Sequence, residues 1–119
     1  MTEYSVELTD IALSAIREQA RDIAVDAQAP LNAERWIERI WDAVATLERW
    51  PCRTSLAEEN AYVEYEVRQL VVGSHLILFT VDDEHRRICI VGFRHGHRRP
   101  RPGDLPAAEV ELGSDDPNV

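Results

Sequence analysis

The sequence predicts an α+β domain: an N-terminal strand, then a two-helix hairpin packed on an antiparallel sheet whose last three strands form a C-terminal meander. Three observations carry that prediction. Trp36, Ile37, Ile40, Trp41, Val44 and Leu47 recur at helical spacing beside a charged face. From residue 62 onward, apolar runs alternate with short polar turns, which join neighbouring strands in antiparallel order. The chain has 119 residues, 45% of them apolar, which suits one modest core, and it shows no internal repeat or linker.

Residues 4–8, YSVEL, alternate so that Tyr4, Val6 and Leu8 share one face of a short strand. Thr9 or Asp10 is a suitable helix N-cap. A first helix is expected from residue 11 to about residue 27, with Ala12, Ala15, Ile16 and Ile23 on its inner face and Gln19 the polar exception. Pro30 ends it, and Asn32 is the expected cap of the second helix, which stops after Trp50 because Pro51 follows. The outer face of that second helix carries Glu34, Arg35, Glu38, Arg39 and Asp42, a mixed and solvated set. Trp36 and Trp41 are both expected in the core.

Residues 52–60 read as a polar loop, and residues 62–72 as a strand with disturbed alternation near Gln69. Gly73-Ser74 turns the chain. Residues 75–81, HLILFTV, are almost continuously apolar, as in a strand covered on both faces. A second turn over 82–85 leads to a last strand over 87–93. Residues 1–100 thus make one domain, and residues 101–119 an acidic, loosely ordered tail.

Charge is distributed unevenly. The formal net charge is -9, and there is no lysine. Residues 1–84 hold 7 Arg against 17 carboxylates; residues 85–102 hold 6 Arg, 3 His and no carboxylate; residues 103–119 hold 5 carboxylates and no Arg. The acidic total argues against a broad nucleic-acid-binding face. The basic block is a candidate for an anionic partner, and every cation in it is a guanidinium able to grip a carboxylate or phosphate in two places. Cys52 and Cys89 form neither a CxxC nor a zinc spacing, and Cys89 reads as a packed small hydrophobe. Together with an N-terminus unlike a secretory signal, this predicts a reducing, cytoplasmic setting.

Chemistry-bearing candidates are few. No phosphate-binding glycine loop, GxSxG or HExxH occurs. No cofactor is expected, and no metal, since clustered guanidinium groups repel a divalent cation. His75 and His85 stand at the two turns; His95 and His97 follow the last strand in FRHGHRR. Two imidazoles beside arginines suit RNA cleavage, with His as acid or base and Arg neutralising the phosphate; the candidate set is His95, His97, Arg68 and Arg94. The same strand end suits binding of an acidic segment by Arg94, His95, His97, Arg98 and Arg99. Arg68 either points toward that end or pairs with Glu64 or Glu66 on its own strand.

Over residues 4–100 the chain resembles the RelE/ParE toxin superfamily. The resemblance is carried by YSVELTDIALSAI, by APLNAERWIERIWDAVATLERWP, and by VRQLVVGSHLILFTVDDEHRRICIVGFRHGHR. In order, these hold an Arg opening the meander (Arg68), an apolar strand ending in an aromatic and Val, the acidic turn Asp82-Asp83, and a last strand ending in His and Arg. The resemblance implies the toxin of a bacterial type II toxin–antitoxin (plasmid stabilization) module, neutralised by a cognate antitoxin with an acidic C-terminal segment. ParE-like members poison DNA gyrase, and RelE-like members cut mRNA on the ribosome. RNA-cutting members are similar to one another in an Arg and a Tyr that fall here on Leu76 and Phe79, and the acidic LAEENAYVEYE is unlike a ribosome-docking surface. The ParE-like branch is therefore favoured, with an mRNA endoribonuclease or a non-toxic degenerate relative as alternatives. A homodimer or a toxin–antitoxin heterotetramer is open, and no membrane partner is expected.

Overall fold

The computed structural model describes residues 3–26, 28–49 and 51–105. Two helices, α1 (Asp10–Arg21) and α2 (Pro30–Thr46), pack on one face of a five-stranded sheet built from β1 (Ser5–Leu8), β2 (Ser55–Leu56), β3 (Arg68–Val72), β4 (His75–Asp82) and β5 (Arg87–His95). The strand order is β1-β5-β4-β3-β2. The meander β3-β4-β5 is antiparallel as expected, but β1 lies parallel to β5, so the sheet is mixed. The helix pair supplies the long crossover that a parallel neighbour requires.

Thr9 caps α1: its hydroxyl oxygen accepts from the Ala12 N–H at 3.2 Å. The first helix is shorter than expected. It passes into a π-helical turn, Asp22–Asp26, and Gln28 then takes a left-handed φ of 54°. The expected end at residue 27 lies outside the described residues. The second helix begins at Pro30 rather than behind Asn32, because a proline lacks only an N–H that the first turn leaves unbonded. Its buried stripe is Trp36, Ile40, Val44 and Leu47. Trp41, expected in the core, is 38% exposed. It lies five residues beyond Trp36, about 140° around the helix and off that stripe. Ile37, one turn before Trp41, is only partly buried.

The main core lies between helices and sheet, where Ile16, Ile40, Ile77, Phe79, Ile88 and Ile90 are at most 1% exposed. Burying each such side chain stabilises the fold by roughly 1.5–3 kcal/mol relative to exposure. A second, smaller cluster of Ala57, Val67, Leu78, Val91 and Leu105 covers the other face. Covering β4 from both sides explains its continuous apolar run.

The expected strand over 62–72 is shortened to β3. Asn60 is the cause: its amide donates to the carbonyls of Ala57 and Val67, and its oxygen accepts from the Val67 N–H, so the preceding segment closes into a loop. The expected polar loop over 52–60 is also interrupted, by the short edge strand β2 and by a 3-10 turn, Glu58–Ala61. At the far end of the described chain, Leu105 is 9% exposed and lies against Gly92, where an added Cβ would come within 2.5 Å of its Cδ2. Residues 106–119 of the expected tail lie outside the described residues. Among the described residues, no helix is long and apolar enough to cross a membrane.

Candidate functional site

A β-bulge determines which side chains meet at the end of β5. Leu78 is opposite Gly92, whereas Phe79 is opposite Ile90, so Val91 is the extra residue. Without it, the residues facing the helices after Ile90 would be Gly92 and Arg94. With it, they are Phe93 and His95, and Arg94 turns to the other face.

On the helix face this produces a stack of rings. Trp36 meets His75 and Phe93 edge-on, each with ring centroids 5.7 Å apart. His75 stacks on Phe93 at 4.9 Å. His95 meets His75 edge-on at 5.0 Å, and His97 stacks on His95 at 4.9 Å. The row runs from buried Trp36 and His75 to exposed His95 and His97. His95 Nδ1 accepts the backbone N–H of His97 at 3.1 Å, so in the neutral ring Nε2 is the nitrogen that carries the proton. Gly96 closes the turn by donating its N–H to the carbonyl of Ser74 at 2.8 Å, and the Arg98 N–H donates to the carbonyl of His95.

On the opposite face, Arg94 is buried, its side chain only 3% exposed. Its Nε and one terminal nitrogen donate to the two carboxylate oxygens of Glu59, which is itself 2% exposed. Its other terminal nitrogen donates to the carbonyls of Arg98 at 2.7 Å and His95 at 3.4 Å. Glu58, exposed, adds a carboxylate at 3.8 Å. Arg98 reaches Asp104 at 3.2 Å and keeps 39% of its side chain exposed, while Arg99 is exposed.

Arg68 is not part of this end. It is opposite Phe79, whereas His75 is opposite Val72, four residues along β3 and therefore about 13 Å away. It pairs with Glu66 at 3.6 Å and donates to the carbonyl of Thr54. Of the four residues considered for RNA cleavage, the structure brings His95 and His97 together, buries Arg94 beneath their turn and leaves Arg68 along the sheet. The five considered for partner binding divide similarly: His95, His97, Arg98 and Arg99 share one turn, and Arg94 lies beneath it. Glu59 is the residue that sequence reasoning missed. Its signal is slight, one carboxylate in an acidic loop, with no periodicity to mark it as buried.

The basic block is also split by the nine residues of β5. His85, Arg86 and Arg87 belong to the opposite end of the hairpin, where acidic neighbours meet them. His85 bonds Asp82 at 2.8 Å, and Arg87 lies 3.8 Å from the same carboxylate. The bond from His85 chiefly holds the Asp82 carboxyl below its ordinary value. Tyr4 donates to Asp83, which raises the phenol above its ordinary value, and Arg86 sits over the Tyr4 ring. Among the described residues, Asp82, Glu84 and His85 make the one trio of metal-type donors within 4.8 Å; they are mostly exposed and include neither His95 nor His97.

The family model described as the ParE toxin of the type II toxin–antitoxin system parDE matches residues 6–100. The chain belongs to that family. Solved structures with the same fold include the chromosomal ParDE system of P. aeruginosa, at 20% identity and a TM-score of 0.61, covering 77% of this chain and 95% of that one. The RelBE2 toxin–antitoxin complex of Mycobacterium tuberculosis aligns at 24% identity and a TM-score of 0.53, covering 80% and 93%. The RelE–RelB complex of Pyrococcus horikoshii aligns at 15% and 0.55, covering 83% and 100%. No curated protein sequence matches the chain.

In this ParE-type toxin the ring stack makes a pH prediction. Burial, and then the nearby His95, lower the pKa of His75 below the ordinary 6.5. The unfolded chain therefore binds a proton that the folded chain refuses. Stability is complete above pH 6.5 and falls as pH drops from there through the lower, folded value. A His75→Phe variant, which keeps an aromatic ring against Phe93 and Trp36, is expected to flatten that acid limb in urea titrations at pH 7.5 and 5.5. An unchanged pH slope would contradict this assignment.

Proposed function

We propose that this ParE-type toxin acts by binding rather than by cutting RNA: its target is DNA gyrase, and the turn carrying His95, His97, Arg98 and Arg99 takes the acidic segment of its antitoxin. The observation that carries the reading is the dispersal of the nuclease set. Of the two arginines considered as partners of His95 and His97 in RNA cleavage, Arg94 is turned away into a buried pair with Glu59 and Arg68 sits about 13 Å along the sheet, while Arg98, which shares the turn, is engaged by Asp104. Leu76, at the position where RNA-cutting relatives resemble one another in an Arg, is opposite Arg94 and packs against the small apolar cluster.

The antitoxin part rests on charge. The turn presents two imidazoles and two guanidinium groups on a chain of net charge -9, so an acidic segment is steered to it and repelled elsewhere. The alternative activity is tested with the antitoxin-free protein in a purified translation mixture. The mRNA is expected to stay intact on translating ribosomes. Cleavage that disappears in a His95→Ala/His97→Ala variant would replace this reading with the nuclease.

A further inference from the structure

We infer that Arg94 and Glu59 are positioning residues of the antitoxin-binding turn, acting from beneath it without touching the partner. The inference rests on the reading of that turn as the partner surface. Arg94 is the one arginine of the basic end that is buried, and its guanidinium is divided between two tasks. One edge is fixed by both oxygens of Glu59. The other edge holds the carbonyls of His95 and Arg98, the first and last residues of the turn. Glu59 in turn belongs to the Glu58–Ala61 turn, which Asn60 closes by its bonds to Ala57 and Val67. A loop on the face of the sheet away from the helices thus sets the backbone on which His97, Arg98 and Arg99 are displayed. A lysine at position 94 keeps the charge, but its single nitrogen lacks the planar fork that joins carboxylate and carbonyls at once.

The test compares the Arg94→Lys variant with the E59L/R94M double variant. The double variant replaces the buried pair by apolar groups of similar size, a change that folds tolerate well, so at least one clamp-free protein remains folded. Two quantities are read for each: the backbone amide resonances of residues 95–99, and the affinity for the cognate antitoxin. Both variants are expected to shift those resonances more than those of β4 and to weaken antitoxin binding about tenfold (1.4 kcal/mol). Affinity loss with unmoved turn resonances would overturn the inference in favour of direct contact, and moved resonances with unchanged affinity would overturn it as well. The surface reading has its own arm: Arg99→Glu leaves the clamp intact, and unchanged affinity there sinks that reading whatever the clamp variants do.

Discussion

Glu59→Gln is expected to destabilise the protein by about 3–5 kcal/mol, the cost of leaving a buried charge without its partner. Arg94 is 3% and Glu59 2% exposed on their side chains, so neither group is hydrated when the other is removed. Glutamine keeps the shape and one acceptor but not the charge, so the guanidinium is left buried with exposed Glu58 as its remaining carboxylate at 3.8 Å. Against a total stability of roughly 5–15 kcal/mol for a domain of this kind, that loss is a large share. Urea denaturation of the purified variant measures it, and a change under about 1 kcal/mol would mean that the pair is solvated in solution.

Charge reversal at Arg98 and Arg99 together is expected to weaken antitoxin binding by ten- to a hundredfold at low ionic strength, with the difference shrinking as salt rises. Arg98 is partly engaged by Asp104, and Arg99 is exposed, so neither supports the core and the variant is expected to stay folded. Titration at two salt concentrations checks it. Equal affinities at low salt would show that the acidic segment docks elsewhere.

Apart from the two-residue edge strand β2, which lies in the expected polar loop, the order of elements was legible because each rests on a local pattern: a buried helical stripe, a doubly covered strand, and turns with Gly or Asp. The parallel pairing of β1 was not, because nothing in YSVEL records which strand it will meet. Trp41 misled because its spacing from Ile37 puts it on the edge of the apolar face, and that edge is only partly covered: Ile37 is half-buried and Trp41 exposed. The site was legible in part. His95 and His97 announce themselves by spacing, but a single bulge residue, Val91, decides that Phe93 and His95 face the helices while Arg94 faces Glu59. A bulge adds one residue to an apolar strand and leaves its composition unchanged, so alternation alone assigns Arg94 to the wrong face. Glu59 became visible only when the loop that carries it folded over that face.

The proposed mode of action is tested most directly by adding the folded, antitoxin-free protein to purified DNA gyrase and relaxed plasmid, then following supercoiling and trapped double-strand breaks. The account predicts inhibited supercoiling or accumulated breaks, both relieved by the antitoxin. Undisturbed supercoiling at protein in excess over gyrase would contradict it.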